Sequence, residues 1–427
     1  MVPTPGPPAQ TPEVRSPFLC TFLARGYHHQ GTDLAALDAA MAAGPITAYW
    51  GCDLTAESLH LGNLVGLMTL RMLQRFGHKP IVLLGGGTTK VGDPSGKDAT
   101  RPLLSPAAIA ANKARLARVF ARYLTFGDGP AEAVFVDNDD WLSALAYIPF
   151  LRDVGPHFTI NRMLTMDSVA KRLEREQPLT FLEFNYMILQ GYDFVELHRR
   201  MGCTLQVGGA DQWGNILSGV ELGRRMDGVH LHALTWPLLQ TAAGEKMGKS
   251  AGNAVWLSPE LFAPYAFWQA LRNVDDADVG RLLRLFTDLP LDEIQRLEAL
   301  EGAARNDAKK VLATETTRIL HGDDAAEAAE ETARRTFEEG DAALDLPTIE
   351  VARGDLAAGV AAFELFQRAG LVASGSEGRR LVAQGGARLN GAVLSDPLRP
   401  VTLDDVGEGG VIRLQAGRKR HALVRPA

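Results

Sequence analysis

No apolar run in the 427-residue sequence approaches the roughly 20 residues that a membrane-crossing helix needs, which argues against an integral membrane protein. Cysteine is scarce. Cys20, Cys52 and Cys203 are odd in number and far apart, so they give neither a disulfide framework nor a zinc pattern and fit a reducing cytoplasm. The first 16 residues hold Pro3, Pro5, Pro7, Pro8 and Pro12. They lack the apolar core of a signal peptide and the arginine-rich, acid-poor character of a transit peptide, and residues 1–16 read as a disordered tail. Positive charge is lacking overall, with a formal net charge of -7, which alone argues against a nucleic-acid partner. Its distribution reverses that inference: from Ala361 to Ala427 ten Arg or Lys residues face six Asp or Glu, a basic segment on an acidic protein.

What is present is the composition of a globular protein, 46% hydrophobic and 22% charged, on a chain too long for one ordinary core. From about Ile46 to Trp256, strand-like runs alternate with longer helical patterns. Ile46 to Cys52, Pro80 to Leu84, Ala133 to Val136 and Thr204 to Val207 are followed by glycine or acidic turns. The alternation implies an α/β fold, a Rossmann-like doubly wound parallel sheet with ligands at the carboxyl ends of its strands, over residues 17–257. Residues 258–339 read as a charged α-helical domain, with amphipathic pieces at Leu282 to Phe286 and Glu293 to Leu297. Residues 340–360 read as a linker, and 361–427 as a small α+β unit with a closing strand pair near Val411 to Leu414 and His421 to Val424.

Two short stretches stand out within this frame. His60-Leu61-Gly62-Asn63 follows a strand and opens a helix, whose unpaired N–H groups and partial positive charge suit a nucleotide, with Gly62 allowing close approach and Thr55 and His60 within reach of phosphates. Lys246-Met247-Gly248-Lys249-Ser250 places two lysines in a glycine-rich loop able to close over developing negative charge. Each stretch alone also reads blandly, His60 as a cap and Lys246 and Lys249 as solvated charges. Tyr186, Gln190 and Asp193 lie at i, i+4 and i+7, so a hydroxyl, an amide and a carboxylate share one otherwise apolar helical face that suits a polar small molecule. At Gln206 to Asn215, Gly209 permits close approach of a ribose and Asp211 can accept from its hydroxyls; a plain strand-to-helix turn is the competing reading. Gly92 to Lys97 with Arg101 forms a basic loop suited either to departing pyrophosphate or to solvent.

Five ordered motifs, Tyr49 to Gly62, Gly92 to Lys97, Tyr186 to Asp193, Gly208 to Asn215 and Lys246 to Ser250, together resemble the bacterial tyrosyl-tRNA synthetases, over nearly the whole chain after the proline-rich start. The resemblance implies that Tyr49 and Asp193 meet a substrate phenol while Asp93, Tyr186 and Gln190 hold its ammonium group. It implies that Thr55 and His60, with Gly62 and Asn63, handle ATP, that Gly209 and Asp211 hold its ribose, and that Lys246 and Lys249, assisted by Lys97 and Arg101, stabilise the transition state. ATP enters as a substrate with Mg2+ on its phosphates, and no protein-bound metal or prosthetic group is expected. Residues 258–339 then become a tRNA-binding helical domain. Residues 361–427 resemble an S4-type RNA-binding domain, in which Arg379, Arg380, Arg388, Arg418, Lys419 and Arg420 contact phosphates. Phe150 to Phe158 resembles the family's subunit interface, so the expected partners are L-tyrosine, ATP, tRNA(Tyr) and a second copy of the chain, in the cytoplasm. The chain departs from the family pattern at Asn63, where a second histidine is common, and at Gly248, where serine is common. The alternatives are a tryptophanyl-tRNA synthetase, which shares the fold and both ATP loops, and a relative that has lost catalysis and kept RNA binding.

Overall fold

The computed structural model describes residues 14–427 except 96–103, 243, 245–246, 251–252, 336–345, 408–409 and 418–419. The chain divides into two compact units, Met1–Gln240 and Thr241–Ala427.

The first unit is built on six strands: β1 (Gln30–Gly31), β2 (Thr47–Asp53), β3 (Lys79–Gly85), β4 (Val134–Asp137), β5 (Cys203–Gly209) and β6 (His232–Trp236). They lie in the order β1-β6-β5-β2-β3-β4, parallel throughout except for β1 against β6. Runs such as Ile81-Val82-Leu83-Leu84 are buried along their whole length, as expected of a parallel sheet covered by helices on both faces. The crossovers include the helices Leu64–Arg75, Pro106–Tyr123, Tyr186–Met201 and Trp213–Asp227.

Strand order reverses between β2 and β5, which are sequence-remote neighbours. They pair only at Thr47, Ala48 and Tyr49, whereas β2 stays with β3 as far as Asp53 and β5 stays with β6 as far as Gly209. The carboxyl ends of the two central strands are thus released from each other just after Tyr49. That is the position at which an open parallel sheet offers a crevice to a ligand. Among the described residues, no helix is long and apolar enough to cross a membrane.

Strands β1 and β6 at one edge were not evident from the sequence pattern, because two residues and one fully buried apolar pentapeptide give no periodic signal. The tail also ends earlier than expected. The backbone N–H groups of Arg15 and Ser16 donate to the Asp38 carboxylate, and the buried Ser16 caps the helix Pro17–Ala24, so residues 14–16 belong to the folded unit.

In the second unit, helices Pro264–Arg272, Val279–Phe286, Leu291–Glu298, Arg305–His321 and Asp323–Arg334 bury Phe267, Trp268, Leu282, Ile294 and Leu312. A five-stranded sheet follows, ordered Ala392–Val393, Ala387–Leu389, Ile412–Ala416, Arg420–Pro426, Thr348–Val351. The last of these corrects the expectation of a linker over 340–360. Thr348–Val351 pairs in parallel with Arg420–Pro426, and Val351, Leu356 and Val360 share one core with Phe366, Ile412 and Val424. Local composition suggested a linker because the strand is completed only by a partner some 70 residues away. Leu356→Ala is therefore expected to destabilise this core by about 2–5 kcal/mol, read from urea denaturation of the full chain, whereas a true linker residue would change it by less than about 0.5 kcal/mol.

Candidate functional site

The parting of β2 and β5 leaves Tyr49 at the base of the crevice. Its side chain is fully buried, its ring lies edge-on to Phe194 at 5.2 Å, and its hydroxyl has no hydrogen-bond partner among the described residues. Burial first, then the nearby Asp193 and Cys203, hold its ionisation well above the usual phenol range, so Tyr49 presents a neutral O–H. A buried unpaired hydroxyl is costly unless something supplied from outside completes it.

Asp193 projects from the helix Tyr186–Met201 and is 1% exposed. Trp141 Nε1 donates to one carboxylate oxygen at 2.8 Å and Asn138 Nδ2 to the other at 2.9 Å. Both donors come from the turn beyond β4: Asn138 follows the strand directly and Trp141 lies in the short helix Asp139–Leu142. Burial pushes the Asp193 carboxyl up to about 8, the two hydrogen bonds pull it down, and Asp53 and Asp137 push it further up. No cation neutralises it through these bonds.

Two turns back on the same helix, the Tyr186 hydroxyl donates to Asp53 Oδ1 at 3.2 Å, and Thr88 Oγ1 donates to the same oxygen at 2.8 Å. Burial, followed by the charges of Asp53, Asp93 and Asp193, keeps Tyr186 well above the usual phenol range. Asp93 accepts from the Ser95 backbone N–H at 2.9 Å and from Gln212 Nε2 at 3.0 Å. Asn215 Nδ2 donates to Gln190 Oε1 at 3.0 Å and lies 3.3 Å from Gln212 Oε1. Asp93, Gln190 and the exit turn of β5 thus form one network. Tyr186, Gln190 and Asp193 do share a face, and the structure adds Asp53, Asp93, Thr88, Asn138 and Trp141 around them. Of these, only Asp93 was singled out from the sequence.

At the carboxyl end of β2, the Leu54 backbone N–H donates to Thr89 Oγ1 and its carbonyl accepts from Asn112, which fixes the chain entering Thr55. His60 and Asn63 form a reciprocal cap. Gly62 N donates to His60 Nδ1 at 3.0 Å, and His60 N donates to Asn63 Oδ1 at 3.1 Å. An imidazole accepting at Nδ1 is neutral and carries its proton on Nε2, so His60 retains a ring donor. Asn63 thereby has a structural duty at the helix entrance, with its amide N–H still a potential donor.

After β5, Asp211 is exposed in the turn Ala210–Gln212. A Cβ on Gly209 would lie 2.7 Å from the Asp211 carboxylate, so glycine is what lets that carboxylate fold back against the strand end. In the second unit, Lys249–Ser250 pairs with Asn253–Ala254, and Gly248 adopts φ +105, a conformation a serine would strain to reach. Lys97, Arg101, Lys246, Arg418 and Lys419 lie outside the described residues. Of the other basic residues singled out, all on the surface of the terminal sheet and its helices, Arg379 stacks on Phe363 at 4.1 Å, Arg388 donates to the Gly391 carbonyl, and Arg420 donates to the Leu371 carbonyl at 2.6 Å. Arg380 is exposed on the helix Gly375–Ala383. Among the described residues, no cluster of three or more His, Cys, Asp or Glu side chains could hold a metal ion.

The family model for class I tRNA synthetases (W and Y) matches residues 41–338. The tyrosine--tRNA ligase of Caulobacter sp. (strain K31) is 59% identical over 412 residues, covering 96% of this chain and 98% of that protein. That of Xanthobacter autotrophicus is 59% identical over 416 residues, 97% and 99% of the two chains. Among solved structures, a C-terminally truncated mitochondrial tyrosyl-tRNA synthetase of Aspergillus nidulans superposes with a TM-score of 0.68 at 29% identity, over 76% of this chain and 95% of that one.

The position of Asp193 sets a pH dependence. Its native carboxyl holds a proton up to about pH 8, whereas an unfolded one releases it near 3.8, so the stability this group lends is complete below about pH 4 and is lost as pH rises toward 8. Asp193→Asn should therefore gain stability relative to the parent chain as pH rises from 5 to 8, measured by chemical denaturation at each pH; a pH-independent difference would show that the carboxyl is ionised in the fold throughout.

Proposed function

This chain belongs to the class I tRNA synthetases (W and Y), and from that premise we propose that it is a tyrosine–tRNA ligase. In that reaction the carboxylate of L-tyrosine attacks the α-phosphate of ATP, pyrophosphate leaves, and the tyrosyl group passes from the adenylate to a 3' terminal ribose hydroxyl of tRNA(Tyr). The observation that carries the choice of amino acid is the buried, unpartnered hydroxyl of Tyr49 beside Asp193. Tyr49 offers a donor and Asp193 an acceptor, and a phenol O–H can satisfy both at once. An indole N–H satisfies only the acceptor, which disfavours tryptophan, and the ligases similar to this chain carry the tyrosine name. A phenylalanine ring satisfies neither and leaves buried polar groups unpaired, a discrimination for which this enzyme family is itself the usual illustration.

At the other end, Asp93, Tyr186 and Gln190 form an anionic, hydrogen-bonding wall for the substrate ammonium group, with Asp53 adding negative charge behind Tyr186. Thr55 and the Nε2–H of His60 face the phosphates, the turn at Gly62 and Asn63 receives the nucleotide, and Gly209 with Asp211 takes the ribose. Lys246 and Lys249, with Lys97 and Arg101, neutralise the charge that develops on the transferring phosphoryl group, to which Mg2+ comes bound with ATP. The enzyme needs no covalent intermediate of its own, because positioning and charge compensation do the work. The reaction takes place in the cytoplasm, which the three unpaired cysteines suit.

The basic face of the terminal sheet, an S4-like unit now taken from about residue 346, binds tRNA, and the helices Pro264–Arg334 contribute to the same partner. Tyr147, Ile148, Leu151, Ile160, Leu164, Phe181 and Leu182 are exposed apolar side chains within one short stretch of the chain, and Phe181 is 70% exposed. Such a surface supports a homodimer.

ATP–pyrophosphate exchange tests the reading directly: tyrosine should drive it, and exchange driven by tryptophan, or none, would overturn the assignment. Asp193→Ala should lower tyrosine-dependent exchange by about a hundredfold or more through loss of the buried carboxyl that meets the phenol. Removing residues 346–427 should spare exchange and weaken tRNA charging. For the dimer, Ile148→Glu combined with Phe181→Glu should shift sedimentation to the monomer; an unchanged profile would place the interface elsewhere.

A further inference from the structure

Among the described residues, the two ends of the amino-acid pocket are joined by a chain of hydrogen bonds, buried at its middle, that runs behind it. Tyr186 Oη donates to Asp53 Oδ1, Thr88 Oγ1 donates to the same oxygen, Asn138 Nδ2 donates to Thr88 Oγ1 at 3.0 Å, and the same amide nitrogen donates to Asp193 Oδ2. The direction of the two links made by Asn138 is fixed. Asn138 Oδ1 accepts from the backbone N–H of Gly87 at 2.8 Å and lies 3.4 Å from that of Thr88, so the amide cannot be turned over without setting its NH2 against two backbone donors. Both hydrogens of that NH2 are then committed, one to Thr88 and one to Asp193. With Asn138 donating to it, the Thr88 hydroxyl directs its own hydrogen to Asp53 Oδ1, with the Tyr186 hydroxyl as a second neighbour.

The links come from the carboxyl ends of three adjacent strands: Asp53 closes β2, Thr88 stands in the turn Thr88–Lys90 after β3, and Asn138 follows β4. Thr88 and Asn138 are 3% and 1% exposed. The middle of the chain of bonds is buried from bulk water, so among the described residues a change of geometry at one end reaches the other along these bonds through Thr88.

We propose that Thr88 is a positioning residue for tyrosine recognition, holding the phenol-reading carboxylate of Asp193 and the ammonium-side pair of Tyr186 and Asp53 in one mutual register. It touches no substrate atom and acts through Asp53 and Asn138. The inference rests on the assignment of the pocket to tyrosine.

Thr88→Val keeps the shape of the side chain and removes only the hydroxyl, leaving Asp53 one donor short and Asn138 Nδ2 facing a methyl group. In ATP–pyrophosphate exchange the KM for tyrosine should rise about tenfold, while the KM for ATP and the melting temperature stay close to those of the parent chain. Thr88→Ser, which restores the hydroxyl without the methyl, should return the tyrosine KM to within about twofold. A second measurement separates coupling from packing. Tyr186→Phe and Trp141→Phe perturb opposite ends of the chain of bonds, and their effects on tyrosine KM should be non-additive by about threefold when Thr88 is present and additive when both are introduced together with Thr88→Val. An unchanged tyrosine KM in Thr88→Val, equal rises in the KM values for ATP and tyrosine, or failure of Thr88→Ser to rescue would each overturn the proposal. Absence of tyrosine-dependent exchange in the parent chain would instead overturn the functional assignment, so the two failures are distinguishable.

Discussion

A carboxylate buried to 1% exposure and held by two neutral donors, the Trp141 indole and the Asn138 amide, is the constraint around which this site is organised. A buried charge would ordinarily be paired with an arginine or lysine. Here the donors to Asp193 are neutral and burial pushes its carboxyl up to about 8, so the group needs no cation and its remaining hydrogen-bonding capacity stays open to a ligand. That arrangement dictates where other elements go. The turn after β4 must bring Asn138 and Trp141 beneath the helix Tyr186–Met201, and Tyr49 must stand at the point where β2 leaves β5.

Neutral donors recur elsewhere in the pocket. Asp53 and Asp93 are held by Thr88, Tyr186, Gln212 and the Ser95 backbone N–H in the bonds resolved around them. Three carboxylates therefore surround a space lined mostly by hydroxyls and amides, and their mutual repulsion is part of why Tyr186 and Asp193 resist ionisation. In the tyrosine reading proposed above, an incoming ammonium group relieves that repulsion, so binding of the charged end and satisfaction of the phenol end draw on one electrostatic field.

Much of this was legible in the sequence, and the exceptions share a cause. Strands β2, β3, β4 and β5 follow from apolar runs broken by glycine or acidic turns, and the shared face of Tyr186, Gln190 and Asp193 follows from helical spacing alone. Asn138, Trp141 and Thr88 were invisible because their meaning depends on which strands lie side by side. Nothing within four or five residues of Trp141 says that it faces Asp193, 52 positions later. The strand Thr348–Val351 was missed for the same reason, and β1 because an edge strand of two residues has no periodicity to detect. The departures at Asn63 and Gly248 look different once placed in their backbones: one completes a cap and the other occupies a conformation natural to glycine.

The position of Arg420–Pro426 has a consequence for how the protein is made. This strand is an inner one, flanked by Ile412–Ala416 on one side and by Thr348–Val351 on the other, so the sheet of the terminal unit cannot close until the ribosome has passed Pro426 and the segment has emerged. Until then Thr348–Val351, already synthesised for more than 70 residues, waits with an unpaired edge and its core partners exposed. A translation product that stops short of this strand leaves the sheet open, so folding of the terminal unit waits on a segment made long after its parallel partner.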